Sequence, residues 1–186
     1  MKSLLSPIAA RAYGNALKAS QKAPVPRQKA DSRTADKFVV RGYRELFNEI
    51  KSIGLHQGRS SNSEMVAAVL GALSGFEREI EITLALKERL GEALADDIVK
   101  KVPKFDLGLC TDGDRFTIRF PPEVRETVRI VVLGDGSDTS ANTMNAWFLN
   151  ALVSWVDIQS EQYALVSASM SIRKAHAAQK QIEEPA

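Results

Sequence analysis

At 186 residues the chain has room for one medium domain or two very small ones. Hydrophobic residues make up 44%, enough for a core, and charged residues 26%, as in an ordinary soluble protein. A single cysteine, Cys110, excludes an internal disulfide framework and fits a reducing cytoplasm, and no apolar run approaches the roughly eighteen residues that would span a membrane.

The opening "LLSPIAARAYGNALKA" is weakly amphipathic and lacks an apolar h-region, so no cleaved secretion signal is expected. Net charge is +2 but unevenly spread. Residues 1–35 hold seven Lys/Arg against one acid, Asp31, which is +6 and leaves −4 for the rest. Two readings of this stretch stand together: a disordered leader by composition, and a basic arm that tracks nucleic acid or another anionic surface.

From Asp36 the texture changes. "DKFVVRG" alternates and is β-branched, which predicts a strand. "YRELFNEIKSIGL" places Leu46, Phe47, Ile50 and Ile53 on one helical stripe, which Gly54 and Gly58 are expected to end. In "SSNSEMVAAVLGALSGFEREI" the spacing of Ser61 and Glu64 fits a capping box, ahead of an apolar series Val66, Val69, Leu73, Phe76, Ile80. Residues 77–102 read as more helix, continuous with the last or not, with a break at Gly91. A loop punctuated by Pro103, Gly108 and Gly113 follows.

The order then recurs. "DRFTIRF" alternates strictly: Arg115, Thr117 and Arg119 on one face, Phe116, Ile118 and Phe120 on the other. Pro121-Pro122 stops it. "PEVRETVRIVVLG" places Val124, Val128, Val131 and Val132 at helical spacing, although "VRIVVL" has the propensity of a strand. Thr139 or Ser140 is expected to cap a helix carrying Met144, Trp147, Phe148, Ala151, Leu152, Trp155 and Val156 on one side. That helix extends through "SEQYALVSASMSIRKAHAAQKQI" as a long final element.

These two strand-helix-helix units align by spacing. Arg41 to Ser60 is 19 residues and Arg119 to Ser140 is 21, the difference falling in "LGDGSD". "SSNSEM" then aligns with "SANTMN". A unit of about 45 residues buries too little by itself, and a lone strand has no partner. Both needs are met if the strands pair as an antiparallel ribbon over four helices. The expected organisation is 1–35 basic arm, 36–76 first unit, 77–113 helical connector and loop, 114–158 second unit and 159–186 helical extension.

"RFTIRFPPEVRETVRIVV" resembles the strand and first helix of the phage Arc/Mnt-type repressors, and "QGRSSNSEMVAAVL" the start of their second helix. The chain thus resembles the ribbon-helix-helix DNA-binding family over residues 37–75 and 114–156. Family members are usually homodimers of one unit each; this chain resembles a tandem pseudo-dimer with both units fused, as among some plasmid-transfer accessory proteins. The first unit departs from the pattern at Gly42-Tyr43, where the family has an aromatic-proline pair. The implied fold is mainly α with one two-stranded antiparallel β-ribbon.

A two-stranded ribbon fits the major groove of B-DNA. The resemblance implies base reading by Lys37, Val39 and Arg41 and by Arg115, Thr117 and Arg119. Val39 cannot hydrogen-bond, so the two halves differ and a pseudo-palindromic or asymmetric DNA site is expected. At the second-helix starts, unpaired N–H groups and the helix dipole favour a phosphate. The resemblance places phosphate contacts at Ser60, Ser61 and Asn62, and at Ser140, Ala141 and Asn142.

Other chemistry finds little support in the residues. His56, His176 and Cys110 have no metal-ligand spacing. "GDGSD" lacks the remaining ligands of a calcium loop, and no phosphate-loop or dinucleotide motif is present. No cofactor, metal or enzymatic activity is expected. Double-stranded DNA is the expected partner, with self-association through the C-terminal helix as a second contact. The resemblance implies a bacterial cytoplasmic protein associated with nucleoid or plasmid. Three roles remain open: a transcriptional repressor of phage or plasmid origin, an accessory factor for plasmid or T-DNA transfer in conjugation, or an antitoxin-like partner-binding module.

Overall fold

The computed structural model describes residues 36–121, 123–134 and 143–183. The elements run β1 (Asp36–Tyr43), α1 (Arg44–His56), α2 (Ser61–Leu73), α3 (Glu77–Leu90), α4 (Glu92–Lys100), a short 3-10 turn (Leu107–Leu109), β2 (Gly113–Phe120), α5 (Val124–Gly134) and α6 (Met144–Glu183). The basic arm, 1–35, lies outside the described residues.

β1 and β2 form one antiparallel two-stranded sheet. Its register runs from Asp36 opposite Phe120 to Tyr43 opposite Gly113, with Val39 opposite Thr117 near the middle. Period-2 alternation sends Val40 and Ile118 fully into the core and leaves the intervening side chains outside. Such a ribbon cannot stand alone in water. It is held because its inner face lies on helices whose apolar stripes meet beneath it.

The core repeats its pattern on the two sides of the ribbon. Leu46 and Ile50 of α1 are buried, as is Val128 of α5, with Val124 and Val132 packed against the cluster. Met65 and Val69 of α2 are fully buried, and so are Phe148 and Leu152 of α6. Phe148 is the centre: its ring lies 4.7 Å from Phe38 and 5.5 Å, stacked, from Phe120. Full burial of one such side chain contributes about 1.5–3 kcal/mol.

Gly42 explains the departure at Gly42-Tyr43. A Cβ there would lie 2.8 Å from Leu149 Cδ2 and 3.1 Å from Phe47 Cζ. Neighbouring side chains fill the space that Phe120 fills for itself on β2, where it is buried.

Several expected boundaries move. α1 continues through Gly54, because that glycine is an approach point and not a terminator: a Cβ would lie 3.1 Å from Arg59 O. The apolar series does not run on from Leu73 to Ile80. Gly75 and Phe76 have φ of 65° and 55°, a left-handed backbone that no helix can traverse. The turn carries the Phe76 ring over Gly71, where a Cβ would meet it at 2.9 Å, and Ile80 is left exposed. The break at Gly91 is where the sequence puts it. "VRIVVL" is helical: Val128 points inward, while Ile130 and Val131 face solvent.

α6 runs 40 residues. Beyond the ribbon core it is the mast for the connector. Gln162 Nε2 donates to Glu79 O at 2.9 Å and to Thr83 Oγ1 at 3.2 Å. The Phe105 N–H donates to Asp157 Oδ1 at 2.8 Å. Leu165 is fully buried. The tail beyond the ribbon core thus packs on the connector within the chain.

Candidate nucleic-acid interface

The outward face of the ribbon gathers all six expected reading residues. They stand in three cross-strand pairs: Lys37 opposite Arg119, Val39 opposite Thr117, and Arg41 opposite Arg115. All six are exposed, Val39 at 47%. Two pairs set like charges directly across from each other, an arrangement that disfavours a free sheet. Among the described residues none of the four cations is in an ion pair. Four unneutralised cations on one small face of a body that is −4 overall outside its arm form a surface suited to an anionic partner.

Two helix starts flank this face. At the first, Ser60 is the N-cap; its hydroxyl accepts from the Ser63 N–H at 3.1 Å and lies 2.9 Å from the Ser63 hydroxyl. The expected capping box at Ser61 and Glu64 is not formed. Glu64 lies one position too far along the helix to reach back to the cap, and it turns into the core, where Trp155 Nε1 donates to its Oε1 at 2.8 Å. Ser61 is half-buried at the first helical position, and its N–H has no intrahelical acceptor.

Asn62 does something different from what its position suggests. Its Oδ1 accepts from the Arg119 N–H at 2.8 Å and its Nδ2 donates to Arg119 O at 3.1 Å. The side-chain amide therefore completes the edge of β2. Only its backbone N–H and the second Nδ2 hydrogen remain for a phosphate.

Ser140, Ala141 and Asn142 lie outside the described residues, as does the expected cap at Thr139 or Ser140. The described helix begins at Met144, and Thr143 Oγ1 accepts from the Ala146 N–H at 3.1 Å. Asn145 then repeats the clasp: its Oδ1 accepts from the Arg41 N–H and its Nδ2 donates to Arg41 O, both at 2.8 Å. Geometrically Thr143 matches Ser60 and Asn145 matches Asn62. Thr143 follows Arg119 by 24 residues where Ser60 follows Arg41 by 19, so spacing alone pointed three residues too early. A signal was present: Ser60-x-Asn62 and Thr143-x-Asn145 each place a buried apolar residue, Met65 and Phe148, three positions after the asparagine.

The far end of the ribbon is closed by α1. The Arg44 N–H donates to Asp112 O at 2.8 Å and its guanidinium pairs with Asp112 Oδ2 at 2.8 Å. Glu45 Oε1 accepts from the Thr111 and Asp112 N–H groups at 3.0 and 3.3 Å. The Thr111 N–H, above all, holds the Glu45 carboxyl below its ordinary range. Cys110 lies nearby; burial, then the charges of Glu45 and Asp106, push its thiol up, away from the reactive thiolate. Among the described residues no helix is long and apolar enough to cross a membrane.

Residues 32–78, the stretch in which β1, α1 and α2 lie, match the family model for the Arc-like DNA binding domain. No curated protein and no solved structure matches the chain. A sheet strand with alternating cations outside and core residues inside, a helix, and a second helix whose start clasps the ribbon fit that match element by element. Over this stretch the chain matches the Arc-like DNA binding domain, and its strand-helix-helix order and two-stranded antiparallel ribbon are those of a ribbon-helix-helix fold.

Proposed function

We propose that this protein binds a specific double-stranded DNA site by laying the β-ribbon in the major groove, with both strands supplied by one chain as a fused pseudo-dimer. The observation that carries this reading is the outward face itself: Lys37, Arg41, Arg115 and Arg119 around Val39 and Thr117, flanked by two helix starts that clasp opposite strands through Asn62 and Asn145. Arginine pairs bidentately with guanine, threonine bonds a base edge, and valine packs on a thymine methyl. The helix starts at Ser60 and Thr143 hold the phosphates on either side, which position the ribbon without selecting sequence. The protein acts by binding and not by catalysis.

The regulatory role we propose is transcriptional repression. Selection of bound fragments from the source genome identifies the site. A reporter behind that site should fall in output when the protein is supplied, and an Arg119→Ala variant should not repress. Unchanged reporter output with the wild-type protein bound would favour the transfer-accessory role over the repressor.

We propose self-association through the outer part of α6, a reading supported by the exposed Val166, Met170 and Ile172. Sedimentation at working concentration checks it: a monomer throughout would remove this contact and leave the ribbon reading intact.

A further inference from the structure

Glu64 has no exposed surface. A carboxylate taken fully out of water is retained only if it is paired and hydrogen-bonded. Two groups hold this one. Trp155 Nε1 donates to Oε1 at 2.8 Å, and Arg59 Nη1 donates to Oε2 at 3.3 Å. Trp155 is buried on α6, whereas the Arg59 side chain is 39% exposed. A core indole, a buried carboxylate and a half-exposed guanidinium thus run in line from the core to the residue just before the N-cap Ser60.

The backbone at that point is held as firmly. The Arg59 N–H donates to Gly54 O at 2.7 Å, and a Cβ at 54 would crowd Arg59 O at 3.1 Å. Arg59 spends one nitrogen on Glu64. A guanidinium carries five N–H donors in a rigid fork, so the outer edge keeps donors for a second anion. It lies three residues before Asn62, whose side chain is bonded to the strand that presents Arg119.

The other helix start lacks this device. Two positions after its asparagine, where Glu64 follows Asn62, stands Trp147, half-buried and without charge. Three positions before Asn145 the residue is Asn142, where the first start has Arg59.

Resting on the DNA-binding reading above, we infer that Arg59 is a phosphate-binding side chain, that Glu64 and Trp155 are its positioning residues, and that the helix start at Ser60 therefore grips the DNA backbone by one contact that the start at Thr143 lacks. The two halves of the DNA site are held unequally through their phosphates as well as read unequally through Val39 and Thr117.

The test is titration of the full chain with a mixed-sequence duplex at several salt concentrations, followed by fluorescence anisotropy. The paired substitution Arg59→Gln with Glu64→Gln leaves net charge unchanged and keeps an acceptor for the Trp155 N–H. It should make the slope of log affinity against log salt shallower by about 0.9, one phosphate contact, while circular dichroism shows a cooperative melt. An unchanged slope in the folded variant overturns the inference. Glu64→Gln alone raises net charge by one. A mere neutraliser of Arg59 would, on removal, tighten DNA binding; a positioning residue, on removal, should weaken it severalfold, and tighter binding overturns the positioning role. Absence of salt-dependent binding by the wild-type chain would instead overturn the DNA reading itself.

Discussion

Arg119 works at two levels of its own structure. Its backbone N–H and C=O are held by Asn62, and its side chain projects from the exposed face. Replacing the side chain leaves the backbone clasp in place. Arg119→Ala should therefore fold as the wild type does yet lose about 1–3 kcal/mol of specific binding, roughly 10- to 100-fold in affinity. Gel-shift titration against the selected site, alongside a thermal melt, checks both halves of this statement. Asn62→Ala and Asn145→Ala should behave in the opposite order. Each removes two hydrogen bonds to a strand, on the order of 1–2 kcal/mol, so the melting temperature should drop, and DNA binding should weaken with it. A fall in binding with an unmoved melt would instead make the amide a direct phosphate ligand. The inward turn of Glu64 belongs to this scale too: Ser61 and Glu64 have capping-box spacing, but the cap is Ser60, and position along the helix decides which way the carboxylate faces.

At the scale of elements, the ribbon is the unit that joins sequence to function. Its alternation was legible because a strand with one wet and one dry face must alternate. The departure at Gly42 becomes intelligible only with its neighbours in view. Gly42→Val would drive side-chain atoms into Leu149 and Phe47 and should cost about 1–3 kcal/mol, seen as a lowered denaturation midpoint. The opposed Val39 and Thr117 make a sharper prediction. If the two half-ribbons read different bases, scanning each position of the DNA site should give unequal losses at symmetry-related base pairs, and Val39→Thr should narrow that inequality. Equal losses in the wild-type protein would sink the asymmetric site. α5 shows where local propensity misleads. "VRIVVL" has strand-forming residues, but Val124, Val128 and Val132 recur at helical spacing toward the core, and burial outweighs the few tenths of a kcal/mol by which β-branching disfavours a helix.

Over the whole molecule, charge and topology are segregated. The arm carries +6 and the remainder −4, yet the ribbon face is cationic. The acids are elsewhere, and one of them closes the ribbon. Because Glu45 is held below the ordinary glutamate value of 4.5 by the Thr111 N–H, its contribution to stability is fully present above that value. It is lost as pH falls through the lowered one. Unfolding midpoints measured from pH 6 down to about pH 3 should fall in the wild type, and Glu45→Gln should flatten part of that fall. An identical acid limb in both proteins would remove Glu45 from the account. The connector, α3, α4 and the loop after them, is joined to the ribbon core through α6, by Gln162 to Glu79 and by Asp157 to Phe105.

By itself the sequence determined what depends on periodicity and local chemistry: two strands alternating Arg or Lys with apolar residues, helices with one apolar stripe, a break at Gly91, and the family resemblance around Ser60. These are local because a strand's two faces and a helix's one stripe are set by geometry within a few residues. Tertiary structure alone decided the register that sets Val39 against Thr117, the match of Asn145 and not Asn142 to Asn62, and the burial of Glu64 beneath Arg59. Each of these depends on which distant group arrives to fill a space or accept a hydrogen bond, and on loop lengths that spacing along the chain does not constrain.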